Sequence, residues 1–244
     1  MKKLCARWNR CLGRLKLACA AAAVPLIWHG TAMGTTYTFN GGSVSFPPNT
    51  YIPSWAYSLN WQNFSVPASA NNSDIIFNPF AGGAFFAVQD IADPIYLHSI
   101  TFNAPYTING GALGWDVPGL IQNNSNVNLF SPLMFGGTVT QPNMVIYDGP
   151  GSALIGGPVS GNGTLRKQGS GNLNFAGANC NFDALELLSG NVSINGGGVR
   201  LGSPAASLIV TGPAAMTVAG GAVLDTRTGQ TNLVGGLALG ACRR

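Results

Sequence analysis

The chain has 244 residues, 34 of them glycine, and only 8% of its positions are charged, about a third of the share usual in soluble domains. This composition excludes a disordered chain, which would carry more charge and fewer large apolar residues. The five cysteines are too few for a small disulfide-stapled scaffold, and the glycines lack the three-residue period of collagen.

The N-terminal segment is first basic and then apolar. Half of the twelve basic residues lie within the first 16 positions, and an apolar run follows at 17–28. The small residues Gly30 and Ala32 suit positions −3 and −1 of a cleavage site. This pattern is typical of a secretory signal peptide at residues 1–32, which the secretion machinery would recognise. An uncleaved membrane anchor is disfavoured, because a span needs roughly 20 apolar residues.

Removal of residues 1–32 would change the charge and the cysteine content. The full chain carries a net charge of +4, whereas the remainder keeps six basic and eight acidic side chains, a net charge of −2. Nucleic-acid binding needs clustered Lys and Arg, so we expect no nucleic-acid partner. Only Cys180 and Cys242 would remain. They could form a disulfide in an oxidising compartment, or both could be small buried apolar residues.

Beyond residue 33, short stretches of alternating apolar and polar residues recur, bounded by Gly, Pro or Asn. This pattern predicts β-strands, and the sequence lacks helical spacing sustained over three turns. Segment 183–188 is compatible with a helix or a strand. The predicted strands are 37–39, 74–77, 99–102, 106–108, 144–147, 173–175, 192–194, 199–201, 208–210, 216–218 and 223–224.

Residues 156–240 favour a solenoid over a β-sandwich. The predicted strands there are very short, glycines fall between them, and two-residue hairpin turns are missing. A parallel β-helix consists of such strands and bends, and its outward Asn, Ser and Thr can stack in ladders. Like charges stacked at about 4.8 Å would repel each other, which explains the low charge. We predict an all-β fold, a parallel β-helix or β-solenoid, with an N-terminal β-rich region at 33–155 and the repeat-bearing solenoid at 156–244.

Residues 160–179 resemble the autotransporter-associated β-strand repeat, also called the passenger-associated transport repeat. Its pattern is roughly Gly-x-Gly-x-Leu-x-Lys-x-Gly-x-Gly-x-Leu-x-Leu-x-Gly-x-Asn. The residues in register are Gly161, Gly163, Leu165, Lys167, Gly169, Gly171, Leu173, Phe175, Gly177 and Asn179. Phe175 takes a Leu position, and residues 180–184 replace the usual Thr-Tyr-x-Gly-Gly. Residues 60–67 and 74–77 are similar to the N-terminal part of secreted proteins that carry the repeat.

The resemblance implies the stalk of a passenger that is exported across the outer membrane through a C-terminal β-barrel. We therefore expect a secreted, periplasmic or cell-surface protein of a Gram-negative-type bacterium, with a non-catalytic structural or adhesive role. A barrel needs many alternating strands of about ten residues, and the residues up to Arg244 leave no room for them. We therefore expect either a soluble secreted or periplasmic solenoid or a truncated passenger without its barrel, and we favour the truncated passenger. The expected partners are surface glycans, or other copies that associate through the solenoid ends.

Candidates for catalysis or metal binding are few. His98 is the one histidine beyond residue 33, with Ser99 beside it and Asp90 and Asp93 close in sequence. A Ser–His–Asp triad is defined by geometry rather than by sequence proximity. A zinc-type site would also need His or Cys pairs at ligand spacing. We therefore predict no catalytic residue, no metal site and no cofactor.

The alternative function is that of a β-helix that binds or degrades surface polysaccharide. Degradation would need paired carboxylates. A groove lined by acidic and aromatic side chains would favour this alternative, whereas a uniform Asn, Ser and Thr face would favour the scaffold. Several aromatic residues could form a sugar-binding platform or belong to the core: Trp55, Tyr57, Trp61, Phe64, Phe85, Phe86 and Tyr96.

Overall fold

The structure is a computed structural model of the chain. It describes residues 34–40, 54–79, 86–136, 143–201, 207–210, 215–218, 223–225, 230–233 and 236–239. Within these ranges the regular structure is β, apart from two short 3-10 turns at Ser58–Asn60 and Gln62–Phe64. The predicted all-β fold is confirmed, while the signal peptide at 1–32 lies outside the described residues.

The strands are short and follow one another closely. In chain order they are β1 (Thr35–Phe39), β2 (Ser73–Phe77), β3 (Phe86–Gln89), β4 (Ile95–Tyr96), β5 (Ser99–Phe102), β6 (Thr107–Gly110), β7 (Leu113–Trp115), β8 (Gly119–Asn123), β9 (Val127–Leu129), β10 (Leu133–Phe135), β11 (Met144–Asp148), β12 (Ala153–Ile155), β13 (Val159–Gly161), β14 (Thr164–Lys167), β15 (Asn172–Phe182), β16 (Ala184–Leu187), β17 (Asn191–Leu201), β18 (Ser207–Val210), β19 (Ala215–Val218), β20 (Val223–Asp225), β21 (Gln230–Leu233) and β22 (Gly236–Leu239).

These strands form three faces that wind around one core. The first face is a nine-stranded sheet with the order β1-β2-β5-β8-β11-β14-β16-β18-β21. The second face runs β3-β6-β9-β12-β15-β17-β19-β22, and the third runs β4-β7-β10-β13-β15-β17-β20. The long strands β15 and β17 belong to both, because each continues from the second face onto the third. The named strands that the structure describes pair in parallel, which confirms the β-solenoid.

The core consists of in-register columns of inward side chains. Alternate residues are buried in strands such as β2, β5 and β8, since successive side chains of a strand point to opposite faces of the sheet. Ile75, Ile100 and Ile121 form one such column on the first face, and Tyr147 and Lys167 continue it. Full burial of an Ile side chain contributes about 1.5–3 kcal/mol, so stability accumulates coil by coil.

The ambiguous segment 183–188 forms a strand, β16, rather than a helix. The chain also makes no turn directly after Asn179, where the sequence departs from the repeat pattern. Instead β15 continues through Asn179 and ends at Phe182, with Cys180 and Phe182 buried in the core. Two register shifts between Phe175 and Asn179 carry the strand from the second face to the third.

Aromatic side chains close the core at its N-terminal end. Trp55 and Trp61 are buried, with ring centroids 5.8 Å apart and nearly perpendicular planes. The Trp61 Nε1–H group donates a hydrogen bond to the Trp55 carbonyl at 2.7 Å. Trp61 also packs edge-on against Phe39 at 5.1 Å. Solenoids need terminal caps because the outermost coil would otherwise expose its core, and this cluster supplies one.

Candidate functional site

The repeat glycines lie at bends where one coil approaches the next. Gly161 and Gly169 have φ angles of +125° and +79°, a region that glycine adopts without steric cost. A Cβ atom at Gly161 would overlap the carbonyl oxygen of Phe135 in the preceding coil, and one at Gly171 would overlap that of Gly151. These positions therefore keep neighbouring backbones in direct contact.

The apolar repeat residues fill the core. Leu165 is buried between Val145 and Leu185 of the adjacent coils. Leu173 and Phe175 are buried in β15, so the Phe at a Leu position serves as a core residue. The remaining repeat positions occupy a bend or β15: Gly163, Gly177 and Asn179.

Lys167 is the basic residue of the repeat, and its side chain is completely buried. Its Nζ donates to the carbonyl oxygens of Gln168 at 2.8 Å and Gly169 at 2.7 Å. A longer bond, 3.4 Å, reaches the carbonyl of Ser189 in the following coil. The Tyr147 ring centroid lies 5.4 Å from Nζ, within cation–π range. The ammonium thus supplies hydrogen bonds to the bend between the first and second faces.

Lys167 belongs to a buried polar cluster with Tyr147 and Asn123. Burial lowers the pKa of its ammonium to about 8, and the Asp148 carboxylate opposes this shift. Burial also raises the pKa of the Tyr147 phenol above its usual range, against the effect of a hydrogen bond from Asn123. The Tyr147 hydroxyl in turn donates to the Gly151 carbonyl at 3.2 Å. The polar groups of this cluster therefore contact one another or accept and donate hydrogen bonds with the backbone.

The shifted pKa of Lys167 predicts that stability rises with pH above about 8. In the unfolded chain this amine titrates near 10.5. Between these two values the unfolded state binds more protons than the folded state, so the free energy of unfolding increases with pH. Below pH 8 both states are protonated and the contribution is constant. We expect the wild type to gain about 1–2 kcal/mol relative to Lys167→Met between about pH 7.5 and about pH 9.5, measured by urea unfolding.

The Lys167→Met comparison removes the contributions of other groups. Burial raises the pKa of the Cys180 thiol to about 11 from 9.0, so ionisation of this thiol in the unfolded chain lowers stability over part of the same range. Both proteins carry Cys180, and the effect cancels. A difference that stays constant or shrinks as the pH rises would contradict the prediction.

Cys180 lies in β15, aligned with Val159 and Val199 of the neighbouring coils. It is buried, and its raised pKa keeps the thiol protonated at neutral pH. Cys242 lies outside the described residues. The disulfide between Cys180 and Cys242 therefore stays a prediction.

The structure brings His98 to Asp74 rather than to the acidic residues near it in sequence. His98 Nδ1 lies 2.8 Å from Asp74 Oδ1, and the Ser99 hydroxyl donates to the same oxygen at 2.5 Å. The serine is thus bonded to the carboxylate and not to the imidazole. A nucleophile–base pair requires the serine to hydrogen-bond the histidine, so this cluster lacks the triad geometry.

Asp90 and Asp93 hold loops in place. Asp90 Oδ1 accepts a hydrogen bond from the Ala56 backbone N–H at 2.8 Å, and Asp93 Oδ1 accepts one from Ala112, also at 2.8 Å. Among the described residues, no group of three or more His, Cys, Asp or Glu side chains is arranged to hold a metal ion.

Trp55 and Trp61, two of the aromatic residues considered for a sugar-binding platform, are buried core residues. This agrees with the interpretation of these aromatics as part of the core. Phe64 exposes 67% of its surface and Phe86 exposes 36%. Phe85 lies outside the described residues. None of the described aromatic side chains of this set lines the groove described next.

The outer surface of the second face carries a shallow groove of about 580 Å³, lined by both polar and apolar groups. Its lining in the described residues holds no acidic, basic or aromatic side chain. The polar lining includes five asparagines: Asn126, Asn128, Asn172, Asn174 and Asn191. The outward amides and hydroxyls are joined by the partly exposed Leu154, so the described lining lacks the acidic and aromatic side chains that would favour a polysaccharide-degrading β-helix.

Side chains on neighbouring coils form ladders at the groove. Asn191 Nδ2 donates to Asn172 Oδ1 at 3.0 Å, and Asn128 Nδ2 donates to Thr107 Oγ1 at 3.2 Å. A separate ladder at the bend after the first face joins three further asparagines over 2.8–2.9 Å: Asn78, Asn103 and Asn124. The expected stacking of outward polar residues is therefore present.

No protein-family model, no curated protein and no solved structure matches the chain. The described part of the chain contains no helix with the length and hydropathy of a membrane span.

Proposed function

We propose that the protein is a non-catalytic β-solenoid scaffold of the secreted or cell-surface, passenger-like type, with a spacer and adhesive role. The main support is the repeat coil around Lys167. Its glycines, apolar residues and lysine all serve the stacking of one coil on the next. A solenoid of this kind extends a surface away from its attachment point, because each coil contacts only its neighbours.

The distribution of charge supports a stacking role. Arg166 and Glu186 occupy the same register position on successive coils of the first face, and Arg166 Nε lies 2.7 Å from Glu186 Oε2. Arg200 and Asp225 align in the same way on the third face. Neighbouring charges in these columns are opposite in sign, as stable cross-strand stacking requires.

Polysaccharide degradation has less support than scaffolding. Hydrolysis of a glycosidic bond uses two carboxyl groups on either side of the bond, and the groove of the second face has no carboxylate in its described lining. Polysaccharide binding without hydrolysis needs no such pair and is compatible with the scaffold.

Export of the full chain tests the cellular part of the proposal. We expect a C-terminally tagged chain, produced in a Gram-negative bacterium, to leave the cytoplasm with Met33 as its first residue, as read by mass spectrometry of the intact protein. The basic residues at the start of a signal peptide direct such export. A variant with Lys2→Glu, Lys3→Glu and Arg7→Glu should therefore stay in the cytoplasm with its N-terminus intact. Cytoplasmic, uncleaved wild-type protein would contradict the proposal.

A further inference from the structure

We infer that the groove on the second face binds an uncharged, linear polysaccharide whose chain runs along the solenoid axis. This inference names the ligand class of the proposed adhesive surface and in that sense rests on the proposed function. It depends on three observations: the neutrality of the face, the register of its asparagines, and the partly exposed leucine between them.

The second face is free of ionisable side chains in its described strand segments. The segments of β6, β9 and β12 read TING, VNL and ALI, and the second-face part of β15 reads NLNF. The charged residues Arg166, Glu186 and Arg200 lie in strands of the other two faces. A charged ligand would lose hydration in the groove without meeting an opposite charge, which is costly. An uncharged, hydroxyl-rich ligand incurs no such cost.

Asparagine amides recur on alternate coils along the groove. Asn128, Leu154 and Asn174 share one register column on three successive coils, and coils of parallel strands repeat at about 4.8 Å. Each asparagine amide provides two N–H donors and a carbonyl acceptor, which suits hydroxyl groups that both donate and accept. Because Leu154 separates the two asparagines, a polymer along the axis would meet an amide on every second coil, at an interval of about 9.6 Å.

Leu154 gives the groove an amphipathic floor. It is partly exposed and lies between the two asparagines of its column. A pyranose ring has hydroxyl groups at its edge and C–H groups on its faces, so it can cover this leucine while its edge meets the amides. The groove volume of about 580 Å³ lies within the range of roughly 300–1,000 Å³ found for small-ligand sites.

Ladder hydrogen bonds fix the amides before a ligand arrives. Asn195 Nδ2 donates to Asn174 Oδ1 at 2.9 Å, and Asn191 Nδ2 donates to Asn172 Oδ1 at 3.0 Å. An amide held in this way loses little further freedom on binding, which lowers the entropic cost of association.

Calorimetric titration of the purified full chain tests the inference. The probes are two neutral glucose hexasaccharides, one β-1,4-linked and one α-1,4-linked, and an anionic oligogalacturonate of similar length. We expect at least one neutral probe to bind and the anionic probe to show no binding. Asn174→Asp places a carboxylate in the groove with little change in volume and should weaken neutral binding about tenfold.

Asn124→Asp is the matched control, because Asn124 also belongs to an asparagine ladder but lies outside the groove. It should leave the affinity within about twofold of the wild type. If Asn174→Asp does not fold, as judged by circular dichroism, Asn128→Asp replaces it with the same expectation. Failure of both neutral probes to bind, equal loss in the control, or tighter binding of the anionic probe would overturn the inference. None of these results alters the export and cleavage readout, so failure here is distinguishable from failure of the proposed function.

Discussion

Replacement of Gly161 by alanine should destabilise the solenoid by more than about 3 kcal/mol. Its φ of +125° is unfavourable for any residue with a Cβ atom. The new Cβ would also overlap the carbonyl oxygen of Phe135, at a point where β10 and β13 are paired in register. The two coils would have to separate locally and lose ladder hydrogen bonds. Urea unfolding monitored by circular dichroism measures the loss.

Gly136→Ala is a matched control for this prediction. Gly136 also has a positive φ, +88°, but the nearest atom to an added Cβ is the Asn162 backbone nitrogen at 3.5 Å, an ordinary contact. This variant should lose only about 1 kcal/mol, the cost of the backbone conformation. The difference between the two variants isolates the contact between coils. Equal losses would show that the close approach at Gly161 contributes nothing.

Trp61→Ala should cost about 3–5 kcal/mol, the range for truncation of a buried aromatic residue. The substitution removes the edge-on contacts with Phe39 and Trp55 and the hydrogen bond to the Trp55 carbonyl. It also opens the N-terminal end of the core. Exposed strand edges and apolar surface promote association, so light scattering on heating should increase together with a lower Tm.

Two controls separate the contributions of Trp61. Trp61→Phe keeps an aromatic ring but lacks the N–H donor. Beyond the loss caused by the smaller ring, its free energy of unfolding should fall by about 1 kcal/mol for the missing hydrogen bond. Phe64→Ala removes an aromatic side chain that is 67% exposed, and surface changes of this kind stay within about 0.5 kcal/mol. A Trp61→Ala variant as stable as Phe64→Ala would refute the capping role.

The fold could be predicted from sequence where strands alternate over four or more residues. The predicted strands 74–77, 99–102 and 144–147 match β2, β5 and β11 within one residue at either end. The three-residue strands β9 and β12 were missed. A segment of that length is too short to show a period, and it is extended because both neighbouring coils pair with it.

The sites were harder to predict, because their residues meet through stacking. His98 contacts Asp74, 24 residues earlier in the sequence. It does not contact Asp90 or Asp93, which are closer to it in the sequence. In the groove column, Asn128 is aligned with Leu154 and Leu154 with Asn174, so successive spacings differ and no fixed repeat reveals the column. The repeat pattern gave the position of Lys167, but its burial depends on alignment with Tyr147 of the preceding coil.

The bond from Lys167 to Ser189 links two coils through a side chain as well as through the backbone ladder. If the coil that contains Ser189 detached, the Lys167 ammonium would lose one of its hydrogen bonds and become exposed to solvent in the same step. A stacked array ordinarily frays one repeat at a time from its ends. Fraying from the C-terminal side should therefore slow at this pair of coils, and their amides should exchange with solvent as one unit. Lys167 thus opposes the progressive unfolding of coils from the C-terminal side.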